Sequence, residues 1–403
     1  MRILFITHYF EPDGGAAAHR LTRLARLLHQ HGHEITVLTT LPHYPAGKIH
    51  ADYRGRLVVK ENRDGIQLIQ VWLWATDSPK ISRKLISQLS FMLTAGIRGI
   101  ALKRPDVIFI EAQPTFTSLA GVWIAALKRR AYVLNVSDLW PDHLLSVGAL
   151  KETSLIYRIA RRIVDFTYQH AKKIVVLSPK WGEAIARYIG QSEKIELIYN
   201  GLDLQTFHPG LDASGFKAAH GINPHKRVVS FIGTFATQYD MQTMFKVVEA
   251  FRQREDVEFV FGGIGSQQAV FDAWYKTTAN VCYTGWIPAD DIPFAWAASD
   301  IAFFAMRDNP LYQGTVPAKL FEIFAMGVPI VAAIEGVTAE IIRESEGGIC
   351  VACGDAPAMV KAIDNLLADD TRRAQYAHNA RNYAEQHFNI ERVVTAYLRI
   401  LSS

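Results

Sequence analysis

Short apolar runs alternate with amphipathic stretches from the first residue onward. Residues 3–7 read as a buried strand, 16–31 follow with helical spacing, and 34–39 return to the strand pattern. Further strand-like runs stand at 107–111, 132–136, 174–178 and 194–199, with helical segments between them. Turn residues then interrupt the rhythm at Asn200, Gly201, Asp203, Pro209 and Gly210. It restarts at 228–232, 257–261, 281–284, 301–304, 330–333 and 348–351. Buried short strands separated by helices predict parallel sheets built from βαβ crossovers. The expectation is an α/β chain of two doubly wound halves facing across a cleft, divided at residue 199/200. The stretch from Tyr383 onward, with Phe388, Val393, Val394, Tyr397, Leu398 and Leu401, has helical spacing and could lie across either half. A return of 383–403 onto the first half is the expectation.

Composition narrows the class. A chain of 403 residues exceeds one ordinary core, and 49% apolar with 20% charged residues suits a packed enzyme rather than a disordered chain. The opening apolar run is too short for the core of a signal peptide, and no run of eighteen apolar residues occurs. Three cysteines give no disulfide framework, so a reducing cytoplasm is expected. The formal charge of +4 divides unevenly: residues 1–199 carry +11 and residues 200–403 carry −7. That asymmetry is either solvated surface or a first half that meets a polyanion or an anionic membrane.

The glycine-rich loops separate the possible chemistries. Gly14 and Gly15 stand between the first strand and a helix, where missing side chains let backbone N–H groups approach a ligand. The loop is not G-x-G-x-x-G, and the second strand ends Thr39-Thr40 without an acid for a ribose diol, which disfavours nicotinamide and flavin cofactors. No Walker lysine motif is present, and no cofactor is expected. Residues 315–329 are more informative. Thr315 is expected to cap a helix with Pro317 in its first turn and Gly327 beyond its end. Lys319 and Glu322, three apart, share one face. The free N–H groups of such a helix start and a lysine suit phosphate oxygens, and a carboxylate suits the paired hydroxyls of a ribose. A capped surface helix with one ion pair is the plain alternative. Cys350 and Cys353 have no second pair and read as strand packing.

This segment resembles the signature of the retaining GT-B glycosyltransferases, a family 4-like group marked by E-x7-E and a following A-x-G-x-P-V strand. The match extends beyond it. Asn200-Gly201-Leu202-Asp203 with Phe207 and Pro209 is similar to the family's hinge, and Gly233-Thr234 to the loop opening its second domain. Trp286 to Ile301, Gly336 to Glu340, and Gly347-Gly348 resemble its later segments. Pro12 to Gly15 and Asp138 to Pro141 look like the branch that builds bacterial surface polysaccharides, including N-acetylfucosamine transferases. Two departures stand out. Gly314 occupies the position of the first signature glutamate, and Thr234 to Tyr239 lack the basic residue that commonly follows that loop.

The resemblance implies two Rossmann-like domains, acceptor-binding over 1–199 and nucleotide-sugar-binding over 200–382. It implies transfer of a sugar from a nucleotide diphosphate, UDP by expectation, without a metal and with retention. An N-acetylated hexosamine or deoxyhexosamine is the expected sugar, and a lipid-diphosphate-linked glycan or other saccharide the acceptor. Lys319, the Gly233-Thr234 backbone and the helix start at Val316, Pro317 and Ala318 would hold the leaving diphosphate. Glu322 would anchor the ribose, and Gly265 and Glu340 complete the donor side. Gly14, Gly15 and His19 would line the acceptor side, with Asp138 as the base or orienter of its hydroxyl and His8 and His143 as further candidates. The acid-free stretch 80–104 carries Lys80, Arg83, Lys84, Arg98, Lys103 and Arg104 among apolar residues, so it is either an in-plane helix on an anionic bilayer or a basic outer face. A UDP-N-acetylhexosamine 2-epimerase or a non-catalytic sugar-nucleotide-binding subunit are the competing readings. A nucleic-acid partner is not expected, since no recognition module is present.

Overall fold

The computed structural model describes residues 1–78, 80–137, 139–142, 145, 150–278, 280–310 and 312–403. The chain forms two compact units, Met1–Ile198 with Val394–Ser403, and Tyr199–Val393.

The first unit holds an eight-stranded sheet. Its strands are β1 (Arg2–Ile6), β2 (Glu34–Thr40), β3 (Val58–Arg63), β4 (Ile66–Val71), β5 (Val107–Glu111), β6 (Tyr132–Val136), β7 (Lys173–Val176) and β8 (Ile195–Leu197). Their spatial order is β3-β4-β2-β1-β5-β6-β7-β8, parallel except for the antiparallel pair β3–β4. That hairpin was not in the predicted pattern, although the sequence carries its signal. Asp64-Gly65 forms the turn with both residues at positive φ (50° and 83°), the two-residue connection whose twist matches paired strands. Helices α1 (Ala16–Gln30), α2 (Ile81–Ile100), α3 (Thr115–Lys128), α4 (Leu155–His170) and α5 (Pro179–Ile189) join the parallel strands. Because α1 leads leftward in that order and α2 to α5 lead rightward, right-handed crossovers place α1 on one face and α2 to α5 on the other.

The second unit holds six parallel strands: β9 (Arg227–Ile232), β10 (Val257–Gly262), β11 (Val281–Gly285), β12 (Ile301–Ala305), β13 (Ile330–Ala333) and β14 (Gly348–Val351). They match the six predicted runs closely, because strands covered on both faces read as continuous apolar sequence. The order β11-β10-β9-β12-β13-β14 reverses direction between β9 and β12. That gap, at the carboxyl ends of the strands, is where open α/β sheets bind ligands. Helices α6 (Ser214–His220), α7 (Met241–Ala250), α8 (Gln268–Tyr275), α9 (Ile292–Ala297), α10 (Ala318–Ala325), α11 (Val337–Glu344) and α12 (Ala356–Ala368) connect or cover these strands.

The terminal segment divides differently from the predicted single helix. Helix α13 (Asp370–His387) ends in the second unit, where Phe388 is fully buried in the core. Helix α14 (Ile390–Ser402) follows, and from Val394 the chain counts with the first unit. There the Tyr397 hydroxyl donates to Asn135 Oδ1 at 2.9 Å, and its ring meets Phe109 edge-on.

Candidate functional site

Helix α10 carries Lys319 and Glu322 three residues apart on one face, with Lys319 Nζ over the rings of Phe231 in β9 and Phe304 in β12. Lys319 is 7% exposed and reaches across to the end of β9. Its Nζ lies 3.4 Å from the ring centroid of Phe231 and 4.2 Å from that of Tyr239, and has no hydrogen-bond partner among the described residues. A cation over aromatic faces gains quadrupole attraction but no neutralising charge. Burial therefore holds the ammonium well below the ordinary lysine range, only partly opposed by Glu322. Glu322 is half-buried and accepts a 2.9 Å hydrogen bond from Trp296 Nε1. Burial raises its carboxyl, while the Trp296 bond and Lys319 pull it down. Lys319 Nζ thus makes no hydrogen bond to Glu322, whose Oε2 is the atom that takes the Trp296 bond.

Three glycines shape the floor. Gly233 (φ 133°) follows β9, and a Cβ there would come within 2.9 Å of Lys319 Cε. Gly263 (φ 131°) follows β10, and any side chain on it would overlap the Gly233 carbonyl. A Cβ on Gly265 would stand 2.5 Å from Phe235 O. The loops after β9 and β10 are thus pressed backbone to backbone, held by the Gly233 N–H to Gly262 O bond of 2.8 Å. Thr234 is exposed beside them.

The start of α10 departs from the predicted cap. Thr315 does not cap the helix; Pro317 occupies the N-cap position, with no side-chain cap hydrogen bond. Residues Val316 and Pro317 precede the helix, which begins at Ala318. The Thr315 carbonyl instead accepts from Thr338 Oγ1 at 2.7 Å, and Gly336 (φ 81°) packs against Gln313 so closely that a side chain would not fit. The first turn of α11, which carries the exposed Glu340, therefore pins the segment leading to α10. With the cap position empty of side-chain acceptors, the first N–H groups of α10 are left for an anion.

Arg307, which the motif pattern does not include, stands beside the loop after β9. It follows β12, its N–H bonds Gln238 O at 2.9 Å, and its Nη2 donates to Gln267 Oε1 at 3.2 Å. Gln267 in turn donates to Ala236 O and Tyr239 O, tying Arg307 to the loop that lacks a base of its own. Its position after a strand at the order reversal was the available signal.

In the first unit, Gly14 and Gly15 follow β1, again at an order reversal, here between β1 and β5. Gly15 (φ 95°) precedes α1, and its carbonyl accepts from the N–H of the exposed His19. Buried Asp13 anchors this loop by accepting from the N–H groups of His43 and Tyr44 at 2.8 and 2.9 Å. His8 is buried against Phe91 and His43, and burial lowers its pKa well below the ordinary value, with His43 adding to the effect. Arg20, Glu111, Ser137 and Asn135 form a polar network at the ends of β5 and β6 that was not predicted. Asp138 and His143 lie outside the described residues. Among the described residues no group of three His, Cys, Asp or Glu side chains could hold a metal ion. Cys350 and Cys353 are free, and burial pushes the Cys350 thiol up to about 12.

Residues 15–201 match the family described as glycosyl transferase 4-like domain, and residues 213–383 match glycosyl transferases group 1. The chain is a glycosyltransferase with these two domains. It is 26% identical over 278 residues to the probable glycosyltransferase WbjE of Pseudomonas aeruginosa, covering 66% of this chain and 68% of that one. It is 21% identical to the putative colanic acid biosynthesis glycosyl transferase WcaI of Escherichia coli K12, covering 99% of each. The solved structure of Anabaena Alr3699/HepE in complex with UDP superposes over 100% of both chains with a TM-score of 0.73 at 18% identity. The fold class of this glycosyltransferase is GT-B, with two α/β domains built on largely parallel sheets.

Proposed function

We propose that this glycosyltransferase moves a sugar from a UDP-linked donor onto a saccharide, a lipid-diphosphate-linked glycan in surface-polysaccharide synthesis, with retention and without a metal. The observation that carries the reading is the unpartnered Lys319 ammonium beside an uncapped helix start, at the order reversal of the second unit. Breaking the anomeric C–O bond leaves negative charge on the departing diphosphate and positive charge on the sugar. In this reading Lys319, the first N–H groups of α10 and the Gly233-Thr234 backbone meet that developing negative charge, and donors fixed in place beforehand lower the reorganisation needed as charge develops. Arg307 supplies the cation absent from the loop after β9. Glu322 takes the ribose hydroxyls, and Gly265 and Glu340 border the donor. Retention follows if the sugar is attacked on the face it leaves, a phosphate oxygen taking the acceptor proton. On the acceptor side the reading uses Gly14, Gly15 and His19, with Asp138 orienting the hydroxyl.

WcaI, named for colanic acid biosynthesis, supports the polysaccharide part of the reading, and the UDP in the HepE structure is the motive for testing UDP-linked donors first. The sugar is proposed as an N-acetylated hexosamine or deoxyhexosamine, as in the N-acetylfucosamine branch. Action at the inner face of the cytoplasmic membrane, through 80–104, belongs to the same reading. Gly314, buried where the resemblance calls for a glutamate, favours one second reading, a subunit that binds the sugar nucleotide without transferring it. The test is a thermal-shift series of nucleoside diphosphates and their sugars, followed by transfer to extracted lipid acceptor with and without EDTA. UDP compounds should raise the melting temperature, Glu322→Ala should abolish that rise, and EDTA should change nothing. A rise unaltered in Glu322→Ala refutes the site, and binding without transfer establishes the second reading.

A further inference from the structure

Helix α2 is apolar on the side that faces away from its own sheet. Its inner side supplies Phe91 and Ala95 to the core. At about 100° per residue, Ile86, Leu89, Leu93, Ile97 and Ile100 fall within an arc of about 80°, and they are 38% to 67% exposed. Helices on the outside of an α/β unit ordinarily turn charged and polar residues outward. Helix α13 does so, with Arg372, Gln375, His378 and Glu385 at its exposed positions. An aliphatic stripe of this length left in water marks a surface that something covers.

The surroundings say what covers it. Ser90 and Gly96 stand immediately outside the arc, one on each side. Ser90 Oγ accepts from the Trp74 N–H at 2.8 Å, and the Trp123 ring of α3 lies over Gly96 where a side chain would otherwise be. Trp74, bonded to the helix through its backbone N–H, and Trp123, packed on it through its ring, are 38% and 40% exposed, so a tryptophan adjoins the helix on each side of the stripe. Both ends of the helix are basic, with exposed Arg83 and Lys84 at one and Lys103 and Arg129 beyond the other. Neither residues 80–104 nor α3 contains an Asp or Glu. Aliphatic centre, neighbouring tryptophans and a rim rich in lysine and arginine, whose nearest exposed acids Asp77 and Asp106 are paired with Lys48 and Arg2, match the layers of an anionic bilayer, from acyl boundary to headgroup to phosphate.

We propose that the α2–α3 face of the first unit is a docking surface for an anionic lipid bilayer. The helix lies in the plane of the membrane, its aliphatic stripe below the headgroups and its lysines and arginines among the phosphates. This names the partner of the 80–104 stretch and rests on the lipid-linked acceptor proposed above. It also carries a geometric consequence. Helix α2 starts at the carboxyl edge of the sheet, the edge that bears Gly14 and Gly15, so docking brings that edge to the lipid surface.

The test uses the whole chain with neither donor nor acceptor, so it can fail while the sugar-transfer reading stands, and the reverse. Flotation is measured with vesicles of phosphatidylcholine alone and with added phosphatidylglycerol, at low and high salt. The protein should float with the anionic vesicles, and Leu93→Glu with Ile97→Glu should weaken partitioning by about tenfold or more. Arg83→Gln with Lys84→Gln should erase the anionic preference and its salt dependence. All these positions are exposed, so melting temperature and the UDP-induced shift should stay at wild-type values and report an intact fold. Equal flotation by Leu93→Glu/Ile97→Glu and wild type overturns the proposal, as does flotation by neither. Sedimentation velocity tests the other occupant: a dimer abolished by Leu93→Glu/Ile97→Glu, with no vesicle binding, assigns the face to a second copy and overturns it too.

Discussion

Replacing Lys319 with Met should make the protein more stable and unable to bind nucleotide. The side chain keeps its length and apolar stem, so the packing beside Phe231, Tyr239 and Gly233 is retained. What disappears is a buried donor with no hydrogen-bond partner, which costs a fold about 1–3 kcal/mol or more when charged. Against this stands a cation–π attraction of about 2 kcal/mol or more when desolvated, but it belongs to the charged form that burial disfavours here, and sulfur–aromatic contact partly replaces it. The net gain expected is about 1 kcal/mol, or about 2–4 °C in melting temperature for a domain of this size. The pH dependence has a definite sign. Between the lowered native value and the ordinary 10.5, the unfolded chain binds a proton at Lys319 that the native chain does not. Stability of the ligand-free protein therefore rises with pH in that window, and Lys319→Met flattens this part of the slope. Nucleotide reverses the balance. At a concentration one hundred times its Kd, UDP adds about 2.7 kcal/mol to the wild type and should add nothing to the variant. Thermal unfolding with and without UDP, across several pH values, reads all three effects. A variant that melts well below wild type, or that keeps the full UDP shift, refutes the reasoning.

Trp296→Phe removes the hydrogen bond that lowers the Glu322 carboxyl, so its pKa should rise further. Nucleotide affinity, which uses the carboxylate, should fall as pH drops through that value, and calorimetric titration should show the fall moved to higher pH in the variant. Gly263→Ala should destabilise the second unit by about 3 kcal/mol, from a disfavoured φ and overlap with the Gly233 carbonyl, measured by denaturant unfolding. Arg307→Ala should leave stability within about 0.5 kcal/mol, since the side chain is exposed, yet reduce the UDP-induced shift; an unchanged shift removes Arg307 from the donor site.

Local sequence determined the elements. The six strands of the second unit are legible because each is an apolar run between turn residues, and that is a property of a few neighbouring positions. The spacing of Lys319 and Glu322 on one helix face is equally local. The cap at Thr315 was misread because its carbonyl is claimed by Thr338, and the Asp64-Gly65 hairpin was passed over although its turn residues were in view. Only tertiary structure decided what surrounds those elements. The lysine has no hydrogen-bond partner among the described residues because β9 and the loop after it place Phe231 and Tyr239 around it, 88 and 80 positions away in the chain. Helix α2 reads as apolar from its sequence alone, but periodicity cannot tell which apolar side a sheet will cover. Packing covers Phe91 and Ala95 and leaves Leu93 and Ile97 in water, because burial is set by contacts between distant segments rather than by spacing along one.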